Sequence, residues 1–172
     1  MKKRILFIGD SLIEFFDWAE RFREHEVYNF GIAGETVEGL KSRLPHILNK
    51  VNAPDFVFIM SGINNMAMGD DGFVRTYNEI VKVIEKTCPD TNVVVQSLLP
   101  VLFPYIDNKE IRALNTELKA LASEEKAVYL DLHSLFLDGV GMPNAGYLMD
   151  DGVHVSDAGY SAWSAEVEKL LL

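Results

Sequence analysis

Short apolar runs alternate with longer amphipathic segments along the whole chain. The apolar runs are rich in β-branched and aromatic residues at consecutive positions, which is typical of parallel strands covered by helices on both faces. The first and third runs are the most uniformly apolar and are predicted to be central, whereas Asn29 and Asp131 place the second and fifth at the edges. Five strands are predicted, at residues 5–8, 27–30, 56–60, 93–95 and 127–130.

Between these runs, apolar residues recur three and four positions apart, which predicts amphipathic helices. One such helix is expected to carry Leu12, Phe15, Phe16, Ala19 and Phe22 as a continuous apolar stripe. The second contains Pro45, which predicts a kink or a split at that point because proline lacks a backbone N–H. The other three stripes begin at Phe73, Ile111 and Tyr160.

This regular alternation predicts an α/β protein with a parallel sheet, because right-handed crossovers place helices on both faces. Five strands fit a three-layer α/β/α sandwich with the flavodoxin-like strand order 2-1-3-4-5, formed as one domain over residues 1–172. Ligands of such sheets bind above the carboxyl ends of the strands. The loops that follow the strands are therefore where chemistry is expected.

Composition and charge narrow the classes of partner. The chain of 172 residues is 48% hydrophobic and 24% charged, as in soluble globular proteins, and its net charge of −10 disfavours nucleic acid and anionic lipid surfaces. The opening apolar run is too short for a secretory signal, and no stretch approaches the roughly 18 apolar residues of a membrane span. A cytoplasmic location without integral membrane association is expected, and homo-oligomer formation is left open.

Four loops at the expected ligand edge carry residues suited to acyl transfer. Ser11 opens the first helix, where the backbone favours negative charge, and Asp151 precedes His154 by three residues on a glycine-containing turn. Gly34 lies in the loop after the second strand, and Asn64 follows the third. Each residue alone is explained as well by a turn or a helix cap. Their joint occurrence at one edge favours a catalytic site.

Gly9-Asp10-Ser11-Leu12, the Gly34 loop, Gly62-x-Asn64 and Asp151-x-x-His154 resemble, in order, the four sequence blocks of the GDSL, or SGNH, hydrolases. The resemblance spans almost the whole chain and implies an esterase or lipase of the SGNH hydrolase fold that needs no cofactor and no metal. It implies that Ser11 is the nucleophile, that His154 is the general base and then acid, and that Asp151 orients the imidazole. The implied oxyanion hole comprises the backbone N–H groups of Ser11 and Gly34 and the side-chain amide of Asn64.

Two neighbouring positions bear on this assignment. Asp10 either supports the serine loop or only caps the helix, and Asn65 stands where the family often has aspartate, which is expected to alter loop hydrogen bonding. His133 is the rival general base because it lies just beyond the fifth strand. Retention of activity in His133→Ala with loss in His154→Ala would decide between the two histidines.

The composition of the loops around the predicted site limits the class of substrate. Leu99, Val101, Met142 and Tyr147 are expected to contact the substrate, and no Lys or Arg cluster stands beside the catalytic loops. A small neutral or O-acetylated ester is therefore favoured. The resemblance leaves lysophospholipase, acyl-thioesterase and acyltransferase activities open. An inactive flavodoxin-like ligand-binding domain is the non-enzyme alternative, and it would not react with a serine-directed phosphonate.

Overall fold

A parallel five-stranded sheet organises the computed structural model, which describes all residues from Met1 to Leu172. Its strand order is β2-β1-β3-β4-β5, so the predicted topology and both predicted edge strands are confirmed. Ile5 to Ile8 of β1 and Val57 to Ile59 of β3 are fully buried, as expected for central strands. The strands are β1 Arg4–Gly9, β2 Glu26–Gly31, β3 Phe56–Met60, β4 Asn92–Gln96 and β5 Val128–Leu130.

Helices cover both faces of the sheet and complete the α/β/α sandwich. On one face α3 contacts α5 and α5 contacts α6, while on the other α7 contacts α8 and Trp18 of α2 packs edge-on against Trp163 of α8 at 5.2 Å. None of the helices is both long and apolar enough to cross a bilayer. Their bounds are α1 Ser11–Glu14, α2 Trp18–Arg21, α3 Val37–Lys50, α4 Ile63–Ala67, α5 Val74–Thr87, α6 Asn108–Glu124, α7 Leu132–Leu135 and α8 Asp157–Leu171.

The first amphipathic segment forms two short helices, α1 and α2, instead of the single predicted helix. Asn29 of β2 donates from Nδ2 to the carbonyls of Ile13 at 2.9 Å, Glu14 at 3.3 Å and Phe16 at 3.2 Å. These carbonyls lie where α1 ends, and a side-chain donor on a neighbouring strand satisfies them without a further helical turn. Asp17 then caps α2 by accepting from the N–H of Glu20.

Pro45 lies inside α3 without splitting it, so that part of the prediction is wrong. The side chain of Pro45 is exposed, and the helix runs unbroken from Val37 to Lys50. Because this side of the helix faces water, solvent can replace the hydrogen bond that proline cannot donate. The apolar residues Leu40, Leu44 and Ile47 keep the opposite side buried on the sheet.

The turn from β1 into α1 requires glycine at position 9. Gly9 has φ +154°, and a Cβ atom there would lie 1.8 Å from the carbonyl oxygen of Met60 on the neighbouring strand. The absence of a side chain lets the two central strands stay paired up to their last residue, where Gly9 lies beside Met60. Ser11 is thereby placed just beyond the carboxyl edge of the sheet, at the start of α1.

Candidate active site

Three side chains from opposite ends of the chain form one hydrogen-bonded series. His154 Nε2 lies 3.0 Å from Ser11 Oγ, and His154 Nδ1 lies 2.6 Å from Asp151 Oδ2. Ser11 is buried to 6% exposure, whereas His154 is half-buried and Asp151 reaches solvent. With a proton on Nδ1 shared with the carboxylate, Nε2 is free to accept the serine proton.

The Asp151–His154 turn is held by its own carboxylate. Asp151 Oδ1 accepts from the backbone N–H groups of Val153 and His154, both at 2.9 Å. Burial by itself would raise the pKa of Asp151, but these two bonds, the imidazole hydrogen bond and the charge of His154 together lower it to about 2. The carboxylate is therefore ionised at neutral pH and presents Oδ2 as an acceptor to the imidazole.

Gly152 connects this turn to the loop between β4 and α6. Its carbonyl accepts from the N–H of Leu102 at 2.8 Å, and a Cβ on Gly152 would lie 2.9 Å from the Leu102 carbonyl carbon. The residue also has φ +73°, a conformation that favours glycine. This close approach packs the β4–α6 loop against the turn that contains His154.

The β4–α6 loop is itself anchored by two asparagines of α6. Asn108 accepts from Val101 N–H at 2.9 Å and donates to the Val101 carbonyl at 2.8 Å. Asn115 makes the same pair of bonds with Leu98, at 2.7 and 2.9 Å. Because each side chain replaces the bonds of a missing strand partner, an irregular segment holds a defined shape beside the site.

Asp10 directly precedes the serine, and its side chain is completely buried. Its Oδ1 accepts from the N–H of Leu12 at 3.0 Å and so caps α1, whereas Oδ2 has no donor within the protein. Burial is the main reason that the pKa of Asp10 is raised to about 7, with the cap and the charge of His154 acting in the opposite direction. Both interpretations of Asp10 agree with this position, since the cap it provides is the cap of the serine helix.

The raised pKa predicts a pH-dependent effect of Asp10→Asn on stability. Unfolded chains release this proton near pH 4, whereas the folded protein keeps it up to about pH 7, so the free energy of unfolding falls across that interval. Asparagine caps helices equally well and carries no ionisable proton. The variant should gain stability relative to the parent as the pH rises, by up to about 4 kcal/mol.

Urea denaturation of both proteins near pH 5 and near pH 8 measures this change. A stability difference that stays constant between the two pH values would contradict the assigned ionisation of Asp10.

The three expected oxyanion donors lie in segments that follow β1, β2 and β3 at the carboxyl edge of the sheet. Ser11 is the first residue of α1, where a backbone N–H has no acceptor within the helix. Asn64, in the first turn of α4, donates from Nδ2 to the carbonyl of Glu35 at 3.0 Å and also lines the cavity that contains Ser11 and His154. Gly34 directly precedes Glu35 in the exposed β2–α3 loop. The structure thus joins the Gly34 loop to Asn64 directly.

Asn65 has a structural explanation that the sequence did not provide. Its side chain is 2% exposed, accepts from the N–H of Val37 at 3.0 Å, and donates to Glu38 and Asp70, both at 2.8 Å. Aspartate at this position would set a third carboxylate against the other two. The amide instead ties the start of α3 to the loop after α4, which agrees with the expected change in loop hydrogen bonding.

A cavity of about 280 Å³ opens beside Ser11 and His154. The residues expected from sequence to contact substrate do not line it: Leu99 is buried in the core, and Tyr147 packs edge-on against Phe136 at 5.4 Å. Val101 and Met142 line an adjoining cleft instead. The residues that line the cavity are Ser11, Ile63, Asn64, Ala67, Phe103, Ile106, Asp151, Val153 and His154.

The rival histidine lies elsewhere. His133 is on α7, 7% exposed, with its backbone N–H donating to Ser97 Oγ at 2.7 Å, and it lines a different depression together with Pro100 and Arg112. Burial lowers the pKa of its imidazole. Only His154 of the two contacts Ser11.

Nowhere in the protein do three or more His, Cys, Asp or Glu side chains converge as metal ligands do.

Comparison with known proteins assigns a family to this arrangement. Residues 7–162 match the model of the GDSL-like Lipase/Acylhydrolase family. Over 100 residues the chain is 31% identical to the platelet-activating factor acetylhydrolase IB subunit alpha1 of Rattus norvegicus, a match that covers 56% of this chain and 43% of that protein. The chain therefore matches less than half the length of this relative.

Solved structures share the fold. A GDSL-like lipase from Bacteroides thetaiotaomicron superposes with a TM-score of 0.84 at 22% identity, over 98% of this chain and 87% of the other. An acetylxylan esterase from Geobacillus stearothermophilus gives a TM-score of 0.77 at 22% identity, over 97% and 93% of the two chains. At these identities the likeness concerns the fold alone.

Proposed function

Because the chain belongs to the GDSL-like lipase/acylhydrolase family, we propose that it hydrolyses small neutral carboxylic esters through an acyl-enzyme on Ser11. The observation that carries the proposal is the series of contacts from Ser11 Oγ through His154 to Asp151, at 3.0 and 2.6 Å. These distances lie within the range over which a hydroxyl, a base and an orienting carboxylate act together.

In the first half-reaction Ser11 Oγ bonds to the acyl carbon as its proton passes to His154 Nε2. The carbonyl oxygen becomes an oxyanion that accepts from the N–H groups of Ser11 and Gly34 and the amide of Asn64. The carbon–oxygen bond to the alcohol then breaks, and the alcohol leaves with the proton from His154. Water repeats these steps on the acyl-enzyme, releasing the carboxylic acid and restoring the serine hydroxyl.

The charge around the site supports a neutral substrate. The segments that follow the five strands, residues 10–17, 32–36, 61–73, 97–107 and 131–156, contain no lysine or arginine. They contain many carboxylates, including Asp70, Asp71 and Asp150. An anionic group on the ester would therefore meet repulsion without a compensating cation.

The size and the apolar lining of the cavity favour a short acyl chain as its occupant. Its walls are the apolar side chains of Ile63, Ala67, Phe103, Ile106 and Val153, and its 280 Å³ equals about nine water-sized volumes of roughly 30 Å³ each. That is enough for a reacting ester group and a few further carbons. The acyl group stays attached to Ser11 while the alcohol must leave, so the cavity suits the acyl side. The alcohol is assigned to the open surface at Phe15, whose exposed ring lies 5.3 Å from the ring of His154.

A series of p-nitrophenyl esters tests this assignment. Each methylene buried in the cavity is worth about 0.8 kcal/mol, so kcat/KM should rise about fourfold per carbon over the first few carbons and then fall once the cavity is full. Ala67→Leu should shift the optimum towards acetate.

A matched series of acetate esters with longer alcohols provides the control for Ala67→Leu. If the substitution alters that series and leaves the acyl series unchanged, the cavity holds the alcohol and the assignment is wrong.

Covalent labelling tests the proposed activity as a whole. A fluorophosphonate should form one adduct per chain, located on Ser11 by peptide mass spectrometry, because the phosphonyl oxygen occupies the position of the oxyanion. Failure to label the folded protein would refute the proposed nucleophile and favour a non-catalytic ligand-binding domain.

A further inference from the structure

Arg43 of α3 spans both ends of the loop that carries Gly34. Its Nη2 donates to the carbonyl of Phe30, before the loop, and to Glu35 Oε2, after it, both at 2.6 Å. Its Nε donates to Glu35 Oε1 at 2.5 Å. One guanidinium thus bonds to both ends of the segment from Gly31 to Glu35 and holds the ends close together.

The Arg43–Glu35 pair is unusual in this protein for its burial. The side chains are 19% and 10% exposed, whereas the other bidentate pair, Arg21 with Glu168, is 31% and 45% exposed. Shielded and bidentate pairs hold geometry better than exposed ones because solvent competes less and the planar fork fixes orientation. Lysine cannot reproduce the two parallel bonds to the carboxylate together with the bond to Phe30.

Glu35 links this pair to the oxyanion hole through its backbone. The Glu35 carbonyl accepts from Asn64 Nδ2 at 3.0 Å and so fixes the plane of the Asn64 amide. Gly34 precedes Glu35, so the backbone N–H of Gly34 and the side chain of Asn64 take their relative placement from the same residue. Two other side chains contact the segment, each through one backbone N–H: Asn29 Oδ1 accepts from Gly31 at 2.9 Å, and the exposed carboxylate of Glu14 accepts from Ala33 at 2.6 Å. Neither contacts Glu35 or Asn64, so Arg43 is the side chain that ties the two ends of the segment together.

We propose that Arg43 and Glu35 are positioning residues that hold Gly34 and Asn64 in register as a preformed oxyanion hole. The inference rests on the proposed hydrolase function and adds a specific cause for the placement of two of its three donors. Donors that are fixed before the reaction stabilise the transition state without reorganising, so loss of the pair should lower kcat. Ground-state binding involves the oxyanion donors little, so KM should change little.

A double-mutant cycle with Asn64 tests the proposal. Asn64→Ala alone should lower kcat about 10² to 10³-fold, the usual effect of removing one oxyanion donor. Arg43→Gln should lower kcat about 10- to 100-fold with KM within about twofold, because misplacement by about 1 Å can cost 10²-fold. In the Asn64→Ala background, Arg43→Gln should lower kcat clearly less than in the parent, because the part of its effect that passes through the Asn64 amide is already lost and only the part through Gly34 remains.

Three further variants separate positioning from stability. Arg43→Lys should fall between the parent and Arg43→Gln, and Glu35→Gln, which keeps one acceptor for Arg43, should also be intermediate. Arg21→Gln breaks the matched pair far from the hole and should leave kcat unchanged. Rates are normalised to the folded fraction from thermal unfolding and to the active sites titrated with fluorophosphonate.

Equal effects of Arg43→Gln in the parent and Asn64→Ala backgrounds would overturn the proposal, as would unchanged kcat in folded Arg43→Gln. Full activity of Ser11→Ala would instead refute the proposed function itself, so the two failures are distinguishable.

Discussion

Ser11→Ala is expected to lower kcat by about 10⁶-fold while the protein stays folded. Removal of the nucleophile from a comparable triad has about this effect, and the remaining rate enhancement over water comes from the oxyanion donors and substrate binding. His154→Ala should lose a similar factor because Ser11 Oγ contacts no other base; its 3.0 Å partner is His154 Nε2. The assay is p-nitrophenyl acetate hydrolysis with the enzyme concentration fixed by absorbance and the fold checked by circular dichroism.

Two comparisons make this result specific. The Ser11→Ala/His154→Ala double variant should be no slower than either single variant, because residues that act as a unit have strongly non-additive effects. His133→Ala should retain near-parental kcat, since its imidazole lies on α7 away from Ser11. A millionfold loss of kcat in His133→Ala, with activity retained in His154→Ala, would show that His133 is the base and that the assignment to His154 is wrong.

The sheet could be predicted from sequence because burial on both faces leaves a strong signal. In β1 and β3 the residues Ile5 to Ile8 and Val57 to Ile59 are fully buried, and only consecutive apolar positions satisfy that environment. The strand order was predicted because five alternating strands fit the flavodoxin-like order, in which the second and fifth strands, marked by Asn29 and Asp131, lie at the edges. Ser11, Asp151 and His154 could be proposed as a triad because their local motifs occur together at the predicted carboxyl edge and resemble the GDSL hydrolase blocks.

Features that depend on contacts between distant elements could not be predicted. The break between α1 and α2 is stabilised by Asn29 of β2, which lies outside the segment, and by the Trp18 Nε1 bond to the Ile13 carbonyl at 2.9 Å. Asp17, which caps α2, is a sign of the break within the segment itself. The Arg43–Glu35 pair spans eight residues, beyond the three- or four-residue spacing that suggests a helical ion pair.

The residues that line the cavity beside Ser11 could not be predicted for a related reason. Outside helices and strands there is no periodicity to say which side chains face inward, so Leu99 could not be distinguished from Phe103. In the structure Leu99 packs in the core, whereas Phe103 and Ile106 face the cavity. A signal was nevertheless present in Asn108 and Asn115, which stand seven residues apart in register with the apolar stripe of α6, since asparagines at such positions indicate an anchored backbone nearby.

Asp151→Asn is expected to lower kcat by about 10⁴-fold, the second largest effect. Asparagine keeps a side-chain oxygen that can accept from the same two backbone N–H groups as Asp151 Oδ1, so the turn should persist. Its NH₂ group would face His154 Nδ1, where Oδ2 now lies at 2.6 Å. An NH₂ donor selects the imidazole tautomer with the proton on Nε2, which cannot accept the serine proton, and it gives no charge stabilisation to the imidazolium.

Asp150→Asn is the matched control, because Asp150 is the adjacent exposed carboxylate and does not line the cavity. Both variants add one positive unit to the net charge, so a general electrostatic effect would appear in both, whereas loss of imidazole orientation appears only at Asp151. Because the pKa of Asp151 is lowered to about 2, its protonation should not limit parental activity at any pH above about 4. Equal losses in the two variants would mean that the Asp151 carboxylate acts only through its charge. More than a tenth of parental kcat in Asp151→Asn would mean that another group orients His154.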